Sequence, residues 1–429
     1  MSGRGARSVA TNSLKTRTLS ATFAVALASM AAGCATSSSA SSPALHTSTS
    51  AHPTAPAANP TSARSVAWTI TPSPNPTLPN DISLTGISCV PDGECWAVGF
   101  DGVGGNDQTL ILHSAGNAWN IEASPGPASS SINTLNGVAC VSATDCWAVG
   151  SSNPNGISKT LIQHYDGSGW TNVASPIPSD SEQGLTALQG IACIAANDCW
   201  AVGYYAGQGG QTLVELYNGT SWRVVPSPNA PQSPGSALYG VTCATASDCW
   251  AVGTASVGAS SSESLTEQYH GGAWKLIPSP NPPGRTSTVL NGVSCSSDND
   301  CWAVGDDDSP NDQAVVEQNQ GSGWSISSSP MTPGTSPSAL LQGVDCAGSG
   351  SCWAVGGFFT GTTEQTLIEE DQGSGWNIVI SPNAPNSTMS GLAAIDCEAA
   401  TGCWATGSSS NFTTTSTGGT SLTLIEHGQ

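Results

Sequence analysis

Basic side chains are scarce in this sequence: nine Lys and Arg stand among 429 residues, against 30 Asp and Glu. Four of the nine (Arg4, Arg7, Lys15 and Arg17) lie near the start, and only Arg64, Lys159, Arg223, Lys275 and Arg285 follow Cys34. All the acids come after position 80, so the chain beyond Cys34 carries a net charge of about −25. A surface of that sign repels phosphate backbones and anionic lipid, which argues against nucleic acid as a partner. Charged residues of any kind are 9% of the chain, far below the roughly one quarter of an ordinary soluble domain. A long helical apolar period is missing too. In its place are many short apolar runs bounded by Gly, Pro, Asn and Ser, the pattern of an all-β protein with many turns.

Residues 1–33 read as an export signal. The four basic residues precede a short apolar run from Leu19 to Ala32, about half the length a membrane helix needs. The run ends in Ala31-Ala32-Gly33-Cys34, which resembles the bacterial lipobox, with Ala31 where that motif usually has Leu. The resemblance implies that Cys34 is lipidated and becomes the new N-terminus; the alternative is an ordinary cleaved signal with an incidental cysteine. Residues 34–64 are Ser, Thr, Ala and Pro almost throughout, with nothing to bury, and read as a disordered linker.

What is abundant is a repeat. Cys-Trp-Ala-Val-Gly occurs at Cys95, Cys146, Cys199, Cys249, Cys301 and Cys352, with Cys-Trp-Ala-Thr-Gly at Cys403. A second Trp series (68, 119, 170, 222, 274, 324 and 376) has the same period, and the two series use all 14 Trp. Each unit contains four apolar segments, A to D. In the second unit these are Leu135 to Cys140, Cys146 to Gly150, Thr160 to Tyr165 and Trp170 to Ala174, with Asp166-Gly167-Ser168-Gly169 as the C–D turn. Seven such units predict a seven-bladed β-propeller of four-stranded antiparallel blades over 65–429. The last unit stops after its strand C, and the strand starting at Trp68 supplies the missing strand D, closing the ring and removing an open edge.

The cysteines follow the same plan. Cys89/Cys95, Cys140/Cys146, Cys193/Cys199, Cys243/Cys249, Cys295/Cys301, Cys346/Cys352 and Cys397/Cys403 are all six apart and straddle the A–B turn. In an exported protein each pair oxidises, and Cys34 alone is left over. So short a loop contributes about 2 kcal/mol on the chain-entropy view. Zinc is excluded as the reason for the pairs, because one pair per blade cannot supply four ligands.

A strand ending in Gly, a strand ending in Tyr and then a Trp strand, as in Cys199-Trp-Ala-Val-Gly203, Leu213-Val-Glu-Leu-Tyr217 and Trp222, resembles kelch repeats. The hairpin Asn218-Gly219-Thr220-Ser221-Trp222 is similar to the Asp-box hairpins of sialidase-type propellers. The resemblance covers 66–428 and implies the fold; the paired Cys and the single Gly after strand B depart from typical kelch repeats.

Residues present in every blade are expected to be scaffold: the Trp, the Cys, and the strand-A glycines 86, 137, 190, 240, 292 and 343, replaced by Ala394 in the last unit. The strand-C acids Glu215, Glu267, Glu317, Glu369 and Glu426 belong with them, as cross-strand hydrogen-bond partners rather than catalysts. Recognised catalytic motifs are missing: two propeller arginines, Arg223 and Arg285, cannot make a three-Arg carboxylate site, and His113, His164, His270 and His427 are one to a blade. No cofactor is expected. The B–C and D–A loops vary in length and share one face, which places a binding surface there. Phe100, Tyr204, Tyr205, Phe358, Phe359 and Phe412 follow strand B and gather on that face, beside Asp101. They either stack on a ligand or pack between blades. Asp306, Asp307, Asp308 and Asp312 fall in one loop, where they either hold calcium or form a solvated acidic loop.

These features predict an exported, lipid-anchored, monomeric binding or scaffolding module for polysaccharide or an envelope protein. The competing class is a carbohydrate-active enzyme, a glycoside hydrolase or lyase, which would need two carboxylates in a cleft on the loop face. A third is an assembly factor for membrane proteins.

Overall fold

The computed structural model describes residues 66–429, except 77–80, 104–105, 117, 128–129, 155, 177, 179–184, 208, 259–260, 308–312, 331, 333–337, 348–350, 399–400 and 412–420. Residues 1–33, Cys34 and the rest of 34–64, read above as signal and linker, lie outside the described residues. Within them all regular structure is β, in 28 strands, and no helix is long and apolar enough to cross a membrane.

The strands pair antiparallel in seven sets of four, each a meander in the order A, B, C, D. In the third set these are Thr186–Ala195, Asp198–Gly207, Gly209–Tyr217 and Trp222–Val224. Single parallel bridges, Asp107 to Ile132 and Glu364 to Met389, join the first set to the second and the sixth to the seventh into two eight-stranded sheets; the other three sheets have four strands. Strands A and B run beyond the apolar cores visible in the sequence: in the second set they are Ser130–Ser142 and Asp145–Pro154. The arrangement is all-β and of propeller type.

The last set takes its strand D from the start of the described chain. Trp68–Ile70 pairs with Ser421–Gly428, Trp68 opposite Gly428 and Ile70 opposite Glu426. Glycine at 428 leaves the room: a Cβ there would lie 2.7 Å from the Trp68 ring.

The cores lie between the sets rather than within them. Seven apolar clusters form, each combining residues of two neighbouring sets; the one at the closure joins Trp404 and Ile425 to Ile82, Leu84 and Leu112. At every seam the strand-B Trp of one set meets the strand-D Trp of the next edge to face, with centroids 5.1 to 5.7 Å apart. Such a pair contributes about 0.5–1.5 kcal/mol beyond the area it buries. This seam is the physical reason for two Trp per repeat.

Two glycines recur in six of the seven sets, for equally local reasons. Strand A carries a bulge, between Leu188 and Gly190 in the third set. Opposite it stands the glycine of Cys-Trp-Ala-Val-Gly, whose missing side chain would overlap a strand-A carbonyl, that of Ala187 for Gly203. The strand-A glycine after the bulge faces its counterpart in the next set: a Cβ on Gly86 would lie 3.1 Å from Gly137 Cα, and one on Gly343 3.1 Å from Ala394 Cα. Each set is also pinned by the expected disulfide, with half-cystines directly opposed and Cα atoms 3.9 to 4.1 Å apart.

The strand-C acids correct the sequence reading. They bridge sets instead of strands within one sheet. Each is fully buried and accepts a hydrogen bond from the Ser-Pro serine after strand D of the preceding set: Ser175 to Glu215 (3.1 Å), Ser227 to Glu267 (2.7 Å), Ser279 to Glu317 (2.6 Å), Ser329 to Glu369 (2.8 Å) and Ser381 to Glu426 (2.7 Å). In the second set Gln163 takes the place of Glu and accepts from Ser124 (3.1 Å). At the closing seam the position is Leu112, part of the apolar cluster. The Ser73 hydroxyl there bonds to Thr423 of its own set.

Candidate functional site

Strand A of each set holds one bulge residue in the register shift before its glycine or, in the last set, Ala394. In order these are Thr85, Asn136, Gln189, Tyr239, Asn291, Gln342 and Ala393. Several reach across to the next set: Thr85 Oγ1 donates to Leu135 O (2.7 Å), Asn136 Nδ2 to Leu188 O (2.8 Å) and Asn291 Nδ2 to Leu341 O (3.0 Å). A cavity of about 160 Å³ is lined by strand-A residues of all seven sets. Thr85, Asn136, Gln189 and Gln342 supply its polar groups, and the strand-A glycines let the backbones approach.

One bulge residue breaks this pattern of short polar side chains. Tyr239 in the fourth set is an aromatic where the others are Thr, Asn, Gln or Ala. Burial pushes its phenol up to about 12, helped by the charges of Tyr204 and Asp306 close by. Tyr204, half-buried, is itself raised by burial. Both neighbours occupy the same place in their sets, the residue after Cys-Trp-Ala-Val-Gly, paired with Ala187 and Val289 of strand A. Asp306 accepts a hydrogen bond from Asn291 Nδ2 at 3.1 Å, which orients its carboxylate. Tyr204 of the third set and Asp306 of the fifth thus lie near enough to Tyr239 of the fourth to act on its phenol, on the B–C/D–A side. Two phenols and an oriented carboxylate offer apolar ring surface with hydrogen-bonding groups beside it, suited to hydroxylated rings.

Tyr239 was not among the residues singled out from the sequence, because it sits in a strand and not in a loop after strand B. The signal that finds it is comparison of the seven bulge positions.

The structure separates the remaining candidates. Phe358 is a correction: it is 8% exposed and packs with Trp302, Ala339, Leu367 and Trp376 in the seam between the fifth and sixth sets. It lies one residue further along strand B than Phe100 or Tyr204, because Gly357 occupies their position, and alternation turns it into the seam. Tyr205 packs against the cluster of Trp147, Ile162 and Leu188 between the second and third sets. Phe100 and Phe359 are half-buried. Phe412 lies outside the described residues.

Asp101 has acidic company. Asp107 is held above the usual carboxylate range by burial, and then by Asp81 and Asp101 nearby. The calcium reading loses its geometry: Asp307 is buried against Arg285 (3.1 Å), while Asp306, its neighbour on the strand, turns to the opposite face toward Asn291. Asp308 and Asp312 lie outside the described residues. Among the described residues no group of three or more His, Cys, Asp or Glu is placed to hold a metal ion. Three of the four histidines among the described residues serve the scaffold, His113, His164 and His427 stacking on the strand-B Trp of their own sets at 3.8 to 4.0 Å.

No protein family matches the sequence, and no curated protein matches it either. Known structures do resemble the fold. The BP39L lectin from Burkholderia pseudomallei superposes with a TM-score of 0.52 at 16% identity, over 79% of this chain and 94% of that one. A polysaccharide lyase of family PL25, an ulvan lyase, gives 0.49 at 8% identity over 80% and 91%. The six-bladed fucose-binding lectin of Aleuria aurantia gives 0.42 at 12% over 70% and 94%. At these identities the likeness to the first lectin speaks for a propeller-type fold and for nothing finer.

Proposed function

We propose that the chain is a seven-bladed β-propeller, exported, tethered by a lipid on Cys34 through the 34–64 linker, and acting as a monomeric, non-catalytic module that binds polysaccharide. The observation that carries the binding reading is the trio Tyr204, Tyr239 and Asp306: residues that depart from the repeat, drawn from three sets, meeting on the face with the variable loops. A scaffold position that is polar in five sets and Ala in one has no packing reason to be Tyr in the fourth. Seven disulfides support export, since such pairs persist only in oxidising compartments.

The test is binding of the exported protein to an array of envelope and extracellular polysaccharides. Tyr204→Ala and Tyr239→Ala are expected to weaken it about thirtyfold each, the loss of an aromatic hot spot. Retention of full affinity in the double variant would remove the mouth as the site.

A second reading, a glycoside hydrolase or lyase, is favoured by one observation: Asp107 is raised beside Asp81 and Asp101, and pairs of carboxylates pushed apart in pKa are the usual acid–base arrangement. Release of new reducing ends or unsaturated products, abolished in Asp107→Asn, would decide for it.

A further inference from the structure

Three seams carry a tyrosine at a position that is Ser114, Asn319, Asp371 and Gly428 in the other four. The residue opposite the second Cys of each set is Tyr165, Tyr217 and Tyr269 in sets two to four. Each ring lies on the strand-B Trp of the preceding set, 4.6 Å from Trp96, 4.5 Å from Trp147 and 4.6 Å from Trp200. In the sixth set the same register position is Asp371, opposite Cys352. The preceding Trp302 keeps its edge-to-face partner Trp376 at 5.1 Å but has no tyrosine on it. A cavity of about 320 Å³ is found at this seam, with Trp302, Asp300, Gln318, Gln320 and Asp371 in its lining. That volume is at the lower end of the roughly 300–1,000 Å³ of ligand pockets.

The carboxylate facing this space is only half used. Asp371 is 7% exposed. Its Oδ1 accepts the N–H groups of Gly373 and Gly375, both at 2.9 Å, and so holds the C–D turn. Among the described residues no hydrogen bond reaches its Oδ2. Asp300, across the cavity, accepts from Gln318 Nε2 (3.2 Å) and Ser296 Oγ (2.7 Å). The lining thus holds an indole, two carboxylates and side-chain amides, and no cation.

We infer that the seam pocket between the fifth and sixth sets, on the disulfide side of the molecule, is a second ligand site that takes one neutral or amine-bearing saccharide ring. It rests on the saccharide reading for its ligand class and on its own geometry for its place. The ring fills the space that tyrosine fills in three other seams and lies against Trp302, while a hydroxyl or ammonium group donates to Asp371 Oδ2. Two carboxylates without a counter-charge exclude a uronic acid, whose own carboxylate would be repelled.

The repeat supplies the variant that tests this. Asp371→Tyr with Gln372→Asp turns Asp371-Gln-Gly-Ser-Gly-Trp376 into the sequence of the second set, Tyr165-Asp-Gly-Ser-Gly-Trp170, where Asp166 takes over the turn by accepting Ser168 N (3.0 Å). The double variant is therefore expected to fold with an unchanged thermal midpoint. Saturation-transfer NMR on the full exported chain, with glucosamine, glucose and glucuronate as probes, reads binding. The wild type is expected to show glucosamine and glucose but not glucuronate. The Asp371→Tyr/Gln372→Asp protein is expected to lose both signals from the seam, and Asp371→Asn, which keeps the turn acceptor, to weaken glucosamine about tenfold or more. Tyr239→Ala, at the mouth, should leave the seam signals in place. Hexose signals that survive the filled seam but vanish in Tyr239→Ala would overturn this inference while sparing the mouth. A wild type that shows none of the three sugars, or glucuronate as strongly as glucosamine, would also overturn it.

Discussion

Replacing Glu215 by Gln is expected to leave stability unchanged at pH 5 and to raise it at pH 8.5. Burial holds the Glu215 carboxyl up to about 8, against an ordinary value of 4.5, with the hydrogen bond from Ser175 pulling less strongly the other way. The folded protein therefore keeps this proton while the unfolded chain releases it. Below about pH 4.5 both states are protonated and the seam has its full stability. From there to about pH 8 stability falls, and above pH 8 both states are ionised and the loss levels off. A separation of roughly three pH units corresponds to on the order of 4 kcal/mol.

The neutral form also suits the geometry of Glu267, Glu317, Glu369 and Glu426, whose second oxygen is buried without a partner, while both oxygens of Glu215 accept from Ser175. A protonated acid has an O–H to give there. Gln163, the natural amide at this position, shows where such a donor goes: its Nε2 donates to Pro125 O (3.0 Å) and to Asn172 Oδ1 (3.2 Å) while Oε1 accepts from Ser124. Glu215→Gln copies part of that arrangement into the next seam, where Val224 stands opposite in place of Asn172. At about 2 °C per kcal/mol for a chain of this length, the midpoint of thermal unfolding should rise by about 8 °C at pH 8.5 and by about 0 °C at pH 5. Calorimetry of wild type and variant across pH 4.5 to 8.5 measures the difference. A gain independent of pH, or a wild type more stable at pH 8.5 than at pH 5, would refute the neutral seam. Glu267 and Glu426, also raised to about 8, and Glu317 and Glu369, raised to about 7, should behave alike.

Three further outcomes follow from the fold. Gly203→Ala drives a methyl into the Ala187 carbonyl and should cost more than about 3 kcal/mol, read as loss of folded exported protein, whereas Gly258→Ala, with nothing within 4 Å, should be silent. Phe358→Ala should destabilise by about 3–5 kcal/mol in denaturant unfolding while leaving polysaccharide affinity at the mouth intact; lost affinity in a stably folded variant would return Phe358 to the site. Deleting 66–76 removes the strand that covers Ser421–Gly428 and the Trp68 edge on Trp353, so the protein should associate through the bared strand and unfold in more than one step, seen by light scattering and calorimetry; a monomeric, two-state deletion variant would deny that strand its closing role.

Much of this architecture was legible in the residues because seven copies solve one packing problem. The recurrence of Cys six residues apart across a turn predicted disulfides that need no distant partner. The twin Trp series predicted a two-Trp scaffold, and a missing last strand together with a spare first one predicted the closure at Trp68. What varies between copies was less legible. Whether Phe358 faces a ligand or a core depends on Gly357 displacing it by one position on an alternating strand. The partner of Glu215 is Ser175, in another set, and no period within a unit announces a contact between units. Tyr204, Tyr239 and Asp306 belong to three units and become neighbours only when the sets stand side by side. The space on Trp302 lies where Asp371 stands in place of the tyrosine that three other sets carry. What each unit must be can be read from its own residues, since local strand pairing and turn chemistry are written within a single repeat. What the units do to one another took the assembled fold, because the cores, the buried acids and both candidate sites lie in the seams between them.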